Sequence, residues 1–380
     1  MRLTSVTIRH FRNIEVLDWQ PAPGLSLVWG ENGQGKTNLL EAICLALTGR
    51  SFRAHRDDEA LPWGLTEDSA DPTLVQAVLS RNGGGRRLRV LLGREWKRVF
   101  ADERWLARLA DLWGEANVVL FAPEEAALLK GPPAVRRRFL DIVLSQISRI
   151  YLEHLQRYNQ ALRQLNAIYK MQPSGSDARA LARAYYPLLA ESGAALMIAR
   201  AHRLRQADAP TGERYGALGG AGRLSLAYAA DLKVKDLDPA DPALDPRRLA
   251  EAYAARLEAA YDEGRRLGLC SLGAHRDDFE ARLDGADLRR YGSQGQHRLA
   301  ALTLKLESAR WIEEAVGEPP ILLLDDFGSE LDPARRQAVL RGLQGKMQVI
   351  ITATHPADLG PAELFEESRK IVHGGLTNRA

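Results

Sequence analysis

The sequence predicts an α/β fold in which one sheet is assembled from both ends of the chain around a helical insertion. Three observations carry this. Residues 1–50 read as strand, turn, strand, glycine-bearing loop and helix; the stretch from Ala134 to Lys170 lacks Pro and Gly and has helical periodicity; and residues 269–380 return to sheet-and-helix character around the four-residue apolar run Ile321–Leu324. Such a run indicates a strand buried on both faces, as in a parallel sheet. The expected divisions are 1–124, 125–268 and 269–380, with the first and last building one domain.

Composition bounds the rest. The chain has 380 residues, 45% hydrophobic and 27% charged, with 52 Lys+Arg against 49 Asp+Glu for a formal +3. That length exceeds one average domain, and the mild basic excess permits an acidic partner without demanding one. Two cysteines, Cys44 and Cys270, exclude a disulfide scaffold and a cysteine zinc site, and fit a reducing cytoplasmic compartment. Met1–Phe11 alternates polar and apolar residues without the apolar core of a leader, and no run approaches the ~18 residues of a membrane span, so neither is expected.

The elements follow in order. Leu3, Val6 and Ile8 mark a strand and Leu25–Trp29 a short buried one, followed by a helix from Lys36 that stops near Gly49. Leu74–Leu79, Leu88–Leu92 (across a Gly83-Gly84-Gly85 turn), Val99-Phe100 and Val118–Phe121 read as strands. In the long helical stretch, Tyr151, Leu155, Tyr158, Leu162, Leu165 and Tyr169 step by alternating fours and threes, the seam of a short coiled coil. Beyond a turn at Met171–Ser176, Leu181, Tyr185, Leu188 and Leu196 predict a second helix returning antiparallel as an arm. Residues 206–247 read as loop-rich around a strand at Leu224–Tyr228, Arg248–Leu267 as one amphipathic helix, and Phe279, Ala281 and Leu283 as a strand entering an Asp284-Gly285 hairpin turn.

Gly30-Glu31-Asn32-Gly33-Gln34-Gly35-Lys36-Thr37, followed by Asn38, satisfies G-x-x-x-x-G-K-[ST] between a strand and a helix. Glycines there let backbone N–H groups converge on phosphate oxygens, and the positive end of the helix faces the anion. Lys36 is expected to bridge the β- and γ-phosphates of ATP, and Thr37 to place its hydroxyl on Mg²⁺. Asp325 and Asp326 emerge from the buried Ile321–Leu324 strand at the edge where ligands sit in open sheets. Asp325 is expected to hold the Mg²⁺ shell and Asp326 to polarise the attacking water.

Ser293-Gln294-Gly295-Gln296 directly precedes an amphipathic helix, where Ser293 as N-cap makes a second anion site. One loop already cradles one nucleotide, so this site points to a nucleotide on another copy and to a head-to-tail homodimer with ATP between the subunits. The order of phosphate loop, Ser293 element, acidic strand and Ser329-Glu330-Leu331-Asp332 is that of an ATP-binding-cassette (ABC-type) ATPase. In that frame Asp332 lies in a D-loop, and His355 is either a γ-phosphate sensor or a capping histidine. No glutamine follows Val118–Phe121, so a Q-loop residue is unassigned; Gln76 lies in a strand, which leaves Glu124 or Glu125.

Across nearly its full length the chain resembles the RecF family of bacterial DNA replication and repair proteins. The carrying segments are Phe11-Arg12-Asn13, the phosphate loop, Gly49–Arg53, Phe121–Glu124, Arg136–Asp141, Gly273–Asp278, Gly292–Gln296 and the run from Leu322 to Asp332. The resemblance implies a head like that of structural-maintenance-of-chromosomes ATPases with a short helical arm. It further implies ATP-dependent dimerisation on double-stranded and gapped DNA, slow hydrolysis, and work with RecR and RecO in loading RecA at gaps and stalled forks. In this context His275-Arg276-Asp277-Asp278, whose spacing is no known zinc pattern, is expected to line the nucleotide or dimer face.

Residues 81–140 hold 13 Lys/Arg and 7 Asp/Glu. Arg86, Arg87, Arg89, Lys97 and Arg98 around the glycine turn, with Arg136, Arg137 and Arg138, are the candidates for sequence-independent phosphate contacts on DNA. A scaffold that binds nucleotide without hydrolysing it is the alternative. A transporter's ATPase subunit is disfavoured by the helical arm between Gly35 and Ser293, and a small-molecule kinase leaves the Ser293 element unexplained.

Overall fold

The computed structural model describes residues 1–62, 72–123, 127–171, 176–330 and 332–377, and not the side chains of Ser176, Ser329 and Glu330. Glu124, Glu125, Leu331 and most of the Met171–Ser176 turn therefore lie outside the described residues. In chain order the elements are β1 (Arg2–Phe11), β2 (Ile14–Trp19), β3 (Leu25–Trp29), α1 (Lys36–Thr48), β4 (Thr73–Arg81), β5 (Gly84–Leu92), β6 (Lys97–Ala101), β7 (Arg104–Leu106) and β8 (Val118–Phe121). Next come α2 (Ala127–Lys130), α3 (Pro133–Ile147), α4 (Arg149–Met171), α5 (Ser176–Ala217), β9 (Leu224–Ala229), α6 (Pro246–Ala259), α7 (Tyr261–Leu267), β10 (Asp278–Leu283), β11 (Ala286–Asp287) and α8 (Leu288–Tyr291). The chain closes with α9 (Gln294–Val316), β12 (Ile321–Leu324), α10 (Phe327–Glu330), α11 (Pro333–Leu343), β13 (Val349–Ala353), β14 (Glu367–Val372) and β15 (Gly375–Leu376).

Two compact units result, Met1–Ala126 with Ala301–Ala380, and Ala127–Ala300. The sequence reading divides the chain at 124/125 and 268/269 instead. The second boundary falls later because β10 pairs along its whole length with β9, from Asp278↔Ala229 to Leu283↔Leu224, which ties this C-terminal segment to the helical unit.

The first unit holds two six-stranded sheets, in the orders β2-β1-β4-β5-β6-β7 and β15-β14-β3-β13-β12-β8. The first is antiparallel throughout, and its β4–β5 turn is made by Asn82 (φ 47°) and Gly83 (φ 75°), with Gly84 and Gly85 already in β5. In the second, β14, β3, β13, β12 and β8 run parallel, and all of β12 and β13 and Leu25–Val28 of β3 are buried. Helix α1 packs on both sheets. Burial of Leu39, Leu40, Ala42, Ile43, Leu45, Ala46 and Leu47 around its circumference follows, since a helix clothed on all sides must be apolar on all sides.

The second unit is helical with the small sheet β11-β10-β9. The stretch read as one continuous helix breaks at Ser148, which has extended backbone (φ −141°, ψ 112°). Its N–H closes α3 on Leu144 O at 3.0 Å, and its hydroxyl accepts the Tyr151 N–H at 3.1 Å to start α4, so one serine ends a helix and caps the next. The helices α4 and α5 pack on one another, as expected, but α5 buries Ala178, Ala182, Tyr186, Leu189 and Gly193 and leaves Leu181 and Leu188 exposed. Helix α5 also continues through Pro187 and Pro210 to Ala217, where loop was expected, held by buried Leu204, Ala207, Thr211 and Tyr215. The single helix expected over Arg248–Leu267 is two, broken at Ala260.

Candidate nucleotide-binding site

The C-terminal ends of three adjacent parallel strands carry the site. Trp29 of β3 is in register with Ala353 of β13, and Ile351 of β13 with Leu324 of β12. The phosphate loop, Thr352 and the Asp325-Asp326 pair therefore meet at one sheet edge. Thr37 donates its hydroxyl to Asp325 Oδ1 at 3.1 Å; Thr352 donates to the same oxygen at 2.7 Å and accepts the Asp326 N–H at 2.8 Å. Asp325 is 3% exposed, and Asp326 sits in the left-handed region at φ 45°, which aspartate tolerates better than most residues. Thr37 and Asp325 offer hard oxygen donors side by side, the donor set Mg²⁺ takes.

The loop itself is tightly determined. Gly35 has φ 109°, a backbone conformation that favours glycine, and a Cβ there would lie 3.0 Å from the Asn13 Oδ1 side-chain atom. Lys36 Nζ donates to Gly30 O at 2.5 Å and Glu31 O at 2.9 Å, both carbonyls of the loop itself. Burial pulls the Lys36 ammonium below its ordinary range, with Asp326 and then Asp325 pushing back. Gln34 is braced by the β14–β15 turn, accepting the His373 N–H at 2.7 Å on its side chain and the Gly374 N–H at 2.9 Å on its carbonyl. Glu31, Asn32 and Gly33 are exposed, and Asn38 donates to Asn13 Oδ1 at 2.7 Å.

Sequence reasoning missed a polar cluster beside the loop. Arg12 makes a two-pronged pair with Glu41 (2.6 and 2.8 Å), whose side chain is fully buried in α1. The Ser51 hydroxyl donates to the same carboxylate, Arg53 donates to Asn38 Oδ1 at 3.1 Å, and Asn13 Nδ2 donates to Gly33 O at 3.3 Å. The signal was present in Phe11-Arg12-Asn13 and Gly49–Arg53, which were read as family marks without a role.

The remaining candidates are placed as follows. Ser293 is exposed at the start of α9 in the second unit; its hydroxyl accepts the Gln296 N–H (3.2 Å) while Gln296 Oε1 accepts the Ser293 N–H (2.8 Å), a reciprocal cap. Gly295 is exposed, with open space where a side chain would stand. Asp332 caps α11 through the Arg335 N–H at 3.0 Å, and exposed His355 caps a short turn reciprocally with Asp358.

An AAA domain family model matches residues 5–89. DNA replication and repair protein RecF of Symbiobacterium thermophilum is 40% identical, covering 94% of this chain and 93% of that protein. The chain belongs to the RecF family. RecF of Heliobacterium modesticaldum is 35% identical over the whole of both chains. Among solved structures, the recombination mediator protein RecF with ATP, in the RecFOR pathway, is 29% identical with a TM-score of 0.88, covering 100% of this chain and 97% of that one. An Smc head bound to the C-terminal winged-helix domain of ScpA, 14% identical with a TM-score of 0.56 over 99% and 96%, shares the fold. The ABC-type head with a helical insertion is thus the architecture of this RecF-family chain.

The family segment Gly273–Asp278 serves the interior of the second unit. His275 accepts the Tyr158 hydroxyl on Nδ1 (2.7 Å) and donates from Nε2 to Cys270 O (3.1 Å), so both nitrogens are spent, and burial lowers its pKa. Asp277, fully buried, accepts the Asp231 N–H at 2.9 Å and the Tyr228 hydroxyl, and faces Arg200 at 3.6 Å. Among the described residues no group of three or more His, Cys, Asp or Glu side chains is placed to hold a metal ion. The expected lining role thus gives way, for His275 and Asp277, to packing.

The basic candidates divide. Arg136 is 3% exposed and spends its guanidinium on Asp278 (2.6 and 2.7 Å), Leu129 O (3.2 Å) and Gly131 O (2.9 Å), which removes it from any DNA-facing set. Arg137 is half-buried on Asp277 O at 2.6 Å, and burial lowers its pKa; Arg138 is exposed. On the β5–β6 ribbon, Arg86 pairs with Asp102 (2.7 Å), Arg87 with Glu103 (3.2 Å), Arg89 with Glu103 (3.7 Å) and Lys97 with Asp57 (2.8 Å), while Arg98 lies over the Trp96 ring. No helix among the described residues is long and apolar enough to cross a membrane.

Proposed function

We propose that this RecF-family chain is an ATP-gated DNA clamp that hydrolyses ATP slowly. The observation that carries the reading is the shared Asp325 oxygen, on which the hydroxyls of Thr37 and Thr352 converge beside the phosphate loop. The loop's N–H groups and Lys36 bind the triphosphate once Lys36 leaves the Gly30 and Glu31 carbonyls. Thr37 and Asp325 would hold Mg²⁺, which would supply charge neutralisation to the triphosphate. Asp326 orients a water whose oxygen bonds to the γ-phosphorus as the bond to the β–γ bridging oxygen breaks, that oxygen leaving with the electron pair on ADP and the water's proton passing to the released phosphate.

A second copy completes the site. The exposed start of α9 presents Ser293, Gly295 and the positive helix end to the partner's γ-phosphate, and Asp332 and His355 are further candidates for nucleotide contact. Arg138 and the β5–β6 arginines take DNA phosphates. RecR, RecO and RecA are the partners proposed from the family, in a cytoplasmic setting.

Sedimentation of the full chain with and without ATP and gapped DNA tests this. ATP should produce dimers, Lys36→Met should abolish them together with nucleotide binding, and Ser293→Arg should abolish them while sparing nucleotide binding. Monomers throughout, or a normal dimer from Ser293→Arg, would overturn the head-to-tail arrangement. No hydrolysis above background in the parent chain, with Asp326→Asn no different, would favour the non-hydrolysing scaffold.

A further inference from the structure

One turn into α9 lies a buried imidazole that the chemistry above leaves unused. His297 is 5% exposed. Its Nδ1 donates to Ser293 O at 2.9 Å, and its backbone N–H donates to the same oxygen at 3.0 Å. A carbonyl oxygen only accepts, which puts the ring proton on Nδ1 and leaves Nε2 as an acceptor. Nε2 is buried and meets no partner among the described residues. Glycine at 292 leaves the ring its space, since a Cβ there would stand 3.1 Å from His297 Cε1 and 2.6 Å from Leu288 O.

A buried acceptor without a donor destabilises a fold, and an apolar side chain of similar size would avoid that cost. Packing alone therefore gives no reason for an imidazole here. The ring instead completes the restraint on one residue. Ser293 is held at its N–H by Gln296 Oε1, at its hydroxyl oxygen by the Gln296 N–H, and at its carbonyl by His297. Because the hydroxyl oxygen already accepts a bond from within the helix, its hydrogen remains free to donate to an incoming anion. A donor serves a phosphate best when its aim is fixed before the ligand arrives.

We propose that His297 is a positioning residue for Ser293. By tying down the serine carbonyl from the buried side, it sets the direction in which the hydroxyl and the exposed start of α9 meet the γ-phosphate of a second copy's nucleotide. The inference rests on the head-to-tail reading above and deepens it, adding a residue that acts on the shared site only through Ser293.

Sedimentation of the full chain with ATP, ATP binding by the dilute monomer and thermal melts together test it. His297→Leu should weaken the ATP-dependent dimer about tenfold, with one hydrogen bond lost in each copy. Monomer affinity for ATP should stay unchanged, and the melting midpoint should hold or rise. His297→Asn, whose amide nitrogen reaches the place of Nδ1, should recover most of the dimer, and His297→Met, again without a donor, should repeat the leucine loss. Dimer affinity unchanged in His297→Leu and His297→Met would overturn the proposal, as would an asparagine variant no better than leucine. Melting midpoints that fall in both apolar variants would assign the ring to packing and overturn it too. A parent dimer broken by Ser293→Arg but not by His297→Leu removes the role of His297 alone, whereas a parent that forms no dimer with ATP removes the head-to-tail reading with it.

Discussion

Thr352 reaches across from the neighbouring strand to donate its hydroxyl hydrogen to Asp325 at 2.7 Å. The same oxygen accepts the Asp326 N–H, so one fully buried side chain aims the first carboxylate and fixes the backbone of the second. Hydrogen bonds to charged groups are worth about 1.5–3 kcal/mol. Thr352→Val should therefore raise the Mg²⁺ concentration needed for half-maximal hydrolysis about tenfold, leave metal-free ATP binding unchanged, and be rescued by Thr352→Ser. A magnesium titration of the three proteins decides it.

Arg12 and Glu41 form the second pairing on which the loop depends. Removing the arginine leaves a fully buried carboxylate with the Ser51 hydroxyl and, at 3.8 Å, Arg53. Breaking a buried pair in this way costs about 3 kcal/mol or more. Arg12→Ala should show that loss in urea unfolding, and Arg12→Ala combined with Glu41→Gln should recover part of it.

Arg136 and Arg138 are separable by experiment although they are two residues apart. Arg136→Ala strands Asp278 and should destabilise by about 3 kcal/mol. Arg138→Ala should leave the unfolding midpoint in place and, if the exposed arginine meets phosphate, lower the slope of log affinity against log salt by about one unit. Denaturation curves and duplex titrations at several ionic strengths read the two effects independently.

Glu258 on α6 supplies a pH dependence to the helical unit. Arg183 and then Arg179 on α5, opposed by modest desolvation, pull its carboxyl down to about 2 from the ordinary 4.5. A carboxyl whose folded pKa is depressed stabilises the fold above its unfolded value, and that contribution fades as the pH falls from about 4.5 toward about 2. Glu258→Gln should thus melt below the parent at about pH 7, with the gap closing on acidification toward about pH 2. Thermal melts across that range measure it.

How much of this was legible in the sequence depended on what each residue signals. The strand, glycine-bearing loop and helix of residues 25–48 and the Ile321–Leu324 strand were read correctly because glycines at fixed offsets and an unbroken apolar run admit few other structures. The face of α5 was misread in part: Leu196 is buried as read, but Leu181 and Leu188 stand exposed while the neighbouring Ala178, Ala182, Tyr186 and Leu189 are buried. Small residues permit close helix approach but carry little hydrophobic signal. Arg136 was misread because a charge run does not report which of its members folds inward to a carboxylate 142 positions away. Ser148 was silent for a like reason, since a serine between two helical stretches looks the same as a serine within one.

The seating of α1 between two sheets bears on how inactivating variants are interpreted. Its first residues are those proposed to meet the nucleotide, while Leu40, Ile43 and Leu47, one turn or more further along, are buried in a helix that packs on both sheets. A loss-of-function allele at Ile43 therefore reports a chain that cannot fold, even though it lies seven positions from Lys36. Only alleles confined to the first turn, with expression and melting intact, are informative about ATP.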